Sequence, residues 1–186
     1  MHTLVASNNS DSIFHSFHMS RMNINKTAML VLGSWATANI IIGGYGNLKS
    51  SGRTKYFYQF NAMWNVVNLG IASLGFLNAS KSNPSQLSNL QILNDYTSLQ
   101  NFLMLNAGLD LAYIMTGFYL RERAKSSPKG ERLIGYGNSL LLQGGFLLIF
   151  DVALYFIHLN NAKMRLYPHL DKLFNNEIGI GLNFEF

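Results

Sequence analysis

The chain has 186 residues, of which only 12% are charged, with a net charge of +5 and no cysteine. That length suits one domain, and the charged share is about half that of a soluble domain. The missing thiols exclude disulfides, thiol redox chemistry, iron–sulfur ligation and S-palmitoylation. The cations sit in short clusters beside apolar stretches and form no stripe with aromatic residues, which argues against nucleic acid as a partner.

Residues 1–26 are polar, rich in Ser, Asn and His. Met1 to Ser20 has no basic segment followed by an apolar one, so no cleavable signal peptide is expected and the first span would direct insertion itself. Ile13, Phe14 and Phe17 suit a short interfacial helix. His15 and His18 are three apart, a spacing that could pair them toward a metal on a helix, but no third ligand accompanies them and a surface role is expected. No cofactor is expected.

Crossing a bilayer takes about 20 mostly apolar residues. Four uncharged or nearly uncharged stretches are long enough, at about 27–48, 56–80, 96–120 and 133–162. Lys49 to Lys55 makes a short basic loop after the first. Tyr56-Phe57-Tyr58 opens the second and fits an aromatic belt at the headgroups. Residues 80–95 read as a polar loop, with Asn83-Pro84 as a turn signal. The segment 121–132 is the most charged of the chain and reads as a solvated loop.

The mean hydropathy of +0.11 is modest for a membrane protein because two polar ends and many Asn residues dilute it. The short connections favour an antiparallel, up-down-up-down bundle of transmembrane helices. The expected fold is all-α, with a polar segment at 1–26, a membrane domain at 27–162 and an amphipathic tail at 163–186. Ile178 to Phe186 alternates apolar with small or polar residues, a β-strand signal. A lone strand must pair with another segment, with a partner by strand addition, or lie on the membrane surface.

Lys and Arg counts set the expected orientation. The first and third loops hold eight, namely Lys49, Arg53, Lys55, Arg121, Arg123, Lys125, Lys129 and Arg132; the middle loop and the two ends hold six. The positive-inside rule then puts the first and third loops in the cytoplasm and both termini outside. Arg21, Lys26, Lys163 and Arg165, near the span ends, pull the other way.

Each span carries a strongly polar residue near its middle: Asn39, Asn68, Asp110 and Asp151. Aligned on these, the spans share a weak pattern. Trp35, Asn39 and Gly46 have the same spacing as Trp64, Asn68 and Gly75, and as Asn106, Asp110 and Gly117. Steps of four and seven keep all three members on one helix face. Repeated helix pairs occur in transporter folds, and common packing needs would give the same pattern without duplication. Further polar residues extend the stripes, including Asn61, Asn65, Ser139 and Gln143. Gly43-Gly44, Gly70, Gly108 and Gly144-Gly145 lie alongside, where small residues let helix backbones approach.

These groups must face inward, because a charge at mid-bilayer costs about 2.5–3.5 kcal/mol on insertion scales. Two Asn and two Asp at a common depth could satisfy one another as a ring. Asn alone serves as interhelical glue; Asp adds an ionisation penalty that glue does not need, so Asp110 and Asp151 are functional candidates. Trp35 and Trp64 lie one turn from the central Asn residues, either as core or as walls of a ligand pocket. No nucleophile, activated water or core-facing histidine for haem is evident, so no enzyme is expected. His158 sits near the outer end of the fourth span and is expected to be interfacial. Gly43-Gly44-Tyr45-Gly46 lacks the context of a phosphate loop.

Gly33 to Asn39, Trp64 to Asn68, Asn106 to Asp110 and Gln143 to Asp151 resemble an uncharacterised bacterial family of small four-helix membrane proteins, a domain of unknown function. The resemblance covers about residues 27–160. It implies four helices and a bacterial envelope setting, here the inner membrane, and it transfers no activity.

Two readings follow. The first is a polar-cored bundle that binds or passes a small solute, proton or cation. Asp110 and Asp151 carry charge or protons, Asn39, Asn68, Asn106 and Gln143 complete the site, and Trp35 and Trp64 wall it. Four helices make a narrow pore, so passage would call for a dimer. The second is a structural or assembly subunit whose polar ring fixes register and whose tail recruits a partner. Beyond the bilayer, the expected contacts are a second copy or a membrane-complex partner at that tail.

Overall fold

A computed structural model describes residues 2–83 and 86–171, with side chains described from Asp11 onward. Four long helices make up almost all of it: α1 (His2–Lys49), α2 (Gly52–Lys81), α3 (Asn89–Arg123) and α4 (Gly130–Arg165). A 3-10 turn, Ala124–Ser126, joins α3 to α4. No strand occurs among the described residues. The alternating segment 178–186 lies outside them. All four helices are long and apolar enough to cross a membrane.

The helices outrun the apolar spans at one end of the molecule. α1 has 48 residues, about 72 Å at 1.5 Å each, against a hydrocarbon core of about 30 Å. No Gly or Pro lies between His2 and Leu32, so nothing interrupts the helix where the apolar stretch begins. The polar segment expected at 1–26 is thus the first half of α1. α3 likewise starts seven residues ahead of its apolar span. Ser88 Oγ accepts from the Gln91 backbone N–H, and the Gln91 side chain accepts from that of Ser88, a capping box that fixes the start. After a turn at Leu166 the chain is helical again over 167–171.

These extensions pack into a cap of their own. Phe14 and Phe17 of α1 meet Ile92 and Tyr96 of α3 and Ala162 and Leu166 beyond them. Below the cap the usual distribution of side chains inverts. The buried residues of α2 are Asn61, Asn65, Asn68, Ala72 and Ala79. Met63, Val66, Val67, Ile71 and Leu74 of the same helix are more than half exposed. A helix that hides amides and alanines and shows its large aliphatic groups suits a lipid surround, where only the polar groups need burial.

Burial follows steps of three and four on every helix. α3 buries Ile92, Tyr96, Gln100, Leu103, Asp110 and Gly117; α4 buries Gly137, Leu140, Gly144, Asp151, Leu154, His158 and Asn161 on one stripe, with Gly135, Ser139, Gln143 and Ala162 beside it. This is the heptad seam of packed helices. The shared spacing of Trp35-Asn39-Gly46, Trp64-Asn68-Gly75 and Asn106-Asp110-Gly117 falls on it, and each of the three glycines lies against a neighbouring helix.

α1 packs mainly on α2 and α3 on α4; α4 also packs on α2, whereas α2 and α3 barely meet. Along the first pair Gly43 lies against Ala62 and Gly33 against Ala72. Along the second, Gly117 and Gly137 cross back to back. A Cβ on Gly117 would stand 2.8 Å from the Gly137 carbonyl oxygen, and one on Gly137 2.7 Å from that of Gly117. Not every glycine in a span serves this purpose. Gly44, Gly70, Gly108 and Gly145 have no neighbour a Cβ would touch. At the first loop, Gly52 has φ +56°, with the Glu131 carboxylate where a Cβ would sit.

Gly117→Leu should therefore force α3 from α4 and cost about 1–3 kcal/mol. Gly108→Leu, into open space, should change stability by less than about 0.5 kcal/mol. Unfolding of the two variants in the same detergent compares them directly.

Candidate functional site

The seam positions of α1, α2 and α4 build one polar cluster. Trp35 donates its indole N–H to Gln143 Oε1 at 3.1 Å, and Gln143 Nε2 donates to Asn61 Oδ1. Asn61 Nδ2 donates to Asn39 Oδ1 at 2.8 Å, and Asn39 Nδ2 donates to the Trp35 carbonyl at 2.8 Å. The four residues close a ring in which every hydrogen bond runs the same way. Such a ring polarises its own members and is satisfied without water. Its Trp35 indole stacks on Phe146, with centroids 3.9 Å apart and planes 5° apart. Asn65 donates to the Asn61 carbonyl, and Asn68 to Asn65 Oδ1.

α3 and α4 build the other cluster. Asp110 and Asp151, 3% and 7% exposed, stand within hydrogen-bonding reach of each other. Gly144 makes this approach possible, since a Cβ there would lie 3.0 Å from the Asp110 carbonyl oxygen. Two ionised carboxyls side by side in an apolar interior would repel strongly; a pair that shares a proton does not. Asp110 Oδ2 is buried and has no protein partner.

Asp110 and Asp151 both belong to the wall of a cavity of about 410 Å3 in the gap between α2 and α3. Asn68 and Asn106 lie on the same wall, with Trp64 and Tyr113 edge to face at 4.8 Å. No Lys, Arg or His lines it. Its outer edge includes Val67, Ile71, Phe102 and Leu109, all facing outward. The cavity therefore opens sideways, through an apolar mouth, and not along the helix axes.

The chain belongs to DUF6992, a family of unknown function. The match covers residues 31–152, about two thirds of the 186. No curated protein and no solved structure matches the chain. The DUF6992 region contains both polar clusters whole. It leaves out most of the cap.

The structure thus divides the eight candidates. Trp35, Asn39 and Gln143 belong to the ring, and Trp64, Asn68, Asn106, Asp110 and Asp151 to the cavity. The central Asn and Asp residues do not form one ring of four: Asn39 is bonded to Asn61, a residue read only as part of the stripe. His158, near the outer end of the fourth span, is fully buried within the protein, with Nε2 donating to Asn25 Oδ1 at 2.8 Å. Asn25 also lines the cavity.

Arg21 is the other departure from the sequence reading. It is 2% exposed and donates to Asp95 at 3.3 Å and to His18 Nδ1 at 3.1 Å. An arginine can only donate, so His18 carries its proton on Nε2 and donates to Ser82 Oγ at 2.7 Å. The cap is thereby tied to the loop after α2. The spacing of seven from Asp151 to His158, and from Arg21 to Ala28, was the available signal that both continue the seam.

Gln143→Leu should leave Asn61 Oδ1 and the Trp35 N–H unpaired and cost about 1–3 kcal/mol, read by unfolding in detergent. The natural absence of cysteine allows a second test. Asn106→Cys should react readily with methyl methanethiolsulfonate, whereas Ser139→Cys, fully buried away from the cavity, should stay unmodified until the protein unfolds.

Proposed function

We propose that this chain is an antiparallel four-helix integral membrane protein that binds a small solute, proton or cation at Asp110 and Asp151 from the bilayer side. The carrying observation is the buried Asp110–Asp151 carboxyl pair on a cavity wall that holds no Lys, Arg or His. A carboxyl pair of this kind holds one or two protons, or exchanges one for a bound cation or a hydrogen-bond donor. Trp64 and Tyr113 offer ring faces and Asn68 and Asn106 offer amides, the mixed apolar and polar lining of small-ligand sites. A ligand that enters through Val67 and Phe102 must be soluble in lipid, with one polar or cationic end.

Binding fits better than passage. The ring of Trp35, Gln143, Asn61 and Asn39 fills the bundle beside the cavity with groups that do not titrate. Access from the side needs no axial pore and no second copy. In this reading loops one and three, with their eight cations, face the cytoplasm, and the cap is on the outer side.

The ring itself supports the structural alternative for its own members. Its donors and acceptors are spent on each other, as expected of groups that fix helix register. The carboxyl pair does not share that property.

Dicyclohexylcarbodiimide tests the reading, because it is apolar and couples to protonated carboxyls in apolar surroundings. Wild type should take up about one equivalent per chain at the pair, by the one-proton argument above. D110N/D151N should take up none. An unmodified wild type would contradict a lipid-accessible, proton-bearing site.

A further inference from the structure

A second and larger concavity, about 860 Å3, runs between α1 and α4 on the side away from α2. It lies outside the site described above and has two zones. One is apolar, floored by Ala28, Val31, Phe146, Phe150, Ala153 and Ile157. The two alanines leave the space, since each stands where a larger side chain would fill the groove. The other zone is polar, with Ser16, Ser20, Asn23 and Arg165.

The change from one zone to the other falls where the apolar spans end. α4 is apolar to about Leu159, and Arg165 follows six residues later, about 9 Å along the axis. The headgroup layer begins there, and an arginine side chain spans the difference. Arg165 is exposed, and Nη1 donates to Ser16 Oγ at 3.4 Å. Among the described residues the ion pairs are Arg21–Asp95 and Lys125–Glu122, so no described carboxylate pairs with Arg165. The groove thus has an apolar trough within the hydrocarbon layer and a fork of charged donors at the depth of phosphate.

We infer that this groove is a binding site for one phospholipid with an anionic headgroup. An acyl chain lies on the floor between Ala28 and Ala153. The phosphate takes the guanidinium of Arg165, whose planar donors match phosphate oxygens two at a time. The Ser16 hydroxyl lies beside the same headgroup, while Ser20 Oγ donates to Asn161 Oδ1 at 2.7 Å. A partner helix fits less well: it would need an acidic residue beside Arg165 as well as an apolar stripe, whereas the bilayer supplies both zones in one molecule.

Native mass spectrometry of the full chain, released from micelles with dioleoyl phosphatidylglycerol or phosphatidylcholine, reads the site. Wild type should retain one phosphatidylglycerol in preference to phosphatidylcholine by about fivefold, the scale of one cation acting on an anionic lipid. R165Q should bring that preference close to unity. K163Q removes a nearby exposed cation that does not line the groove and should leave it intact. A153W should block the trough and remove the retained lipid of either kind. Equal retention of the two lipids by wild type would overturn the assignment, as would an R165Q preference equal to wild type. A loss in K163Q as large as in R165Q would also overturn it, by reducing the effect to general surface charge.

Discussion

The hydrogen bond from the Gln143 amide to Asn61 Oδ1 joins the two halves of the molecule. α1 rests on α2 and α3 on α4, and the glycine crossings within each pair set how closely the backbones approach. In lipid no hydrophobic force presses the two pairs together, so the link between them has to come from packing and polar contacts. Asn61 supplies one such contact to Gln143 of α4, and is itself held within the first pair by Asn39 and by Asn65. Within the second pair, Gly144 lets α3 and α4 approach closely enough for Asp110 to meet Asp151.

The four spans are legible in the sequence because a bilayer penalises charge wherever it falls, and long uncharged stretches are rare for other reasons. The inward stripes are legible too, since steps of three and four need no knowledge of the neighbours. Which stripe residue meets which across an interface is not. That depends on the offset between helices, and the offset depends on contacts such as Gly43 on Ala62 that only the assembled pair defines. Hence Asn39 finds Asn61 and not Asn68, and a ring imagined at one depth divides into two clusters. Helix ends are partly legible. Ser88-x-x-Gln91 announces the start of α3 in plain capping chemistry, yet hydropathy alone draws attention to residue 96. Hydropathy also conceals the cap, because polar residues such as His18 and Arg21 give no apolar signal although they are buried there.

The two polar clusters do different physical things. In the ring each donor has an acceptor within the protein, and the whole is closed. At the carboxyl pair no amide or hydroxyl donor meets Asp110 Oδ2, and both residues line a cavity. Groups that serve only to hold helices together are expected to satisfy one another, as the ring does. The carboxyl pair, beside aromatic rings and the cavity, lacks that closure, which is why the proposed site is placed there. DUF6992 has no assigned activity to compare with this, and the region it matches contains both clusters together.

The central claim is that Asp110 and Asp151 are present for binding and not for folding. The direct measurement is the stability of D110N/D151N in lipid against wild type, from about pH 5 to 9, a range in which a coupled carboxyl pair can change its proton count. The account predicts a double variant as stable as wild type or more so, because two amides can pair where two carboxyls need a proton. A loss of several kcal/mol across the whole range would contradict it and would make the pair a structural element like the ring.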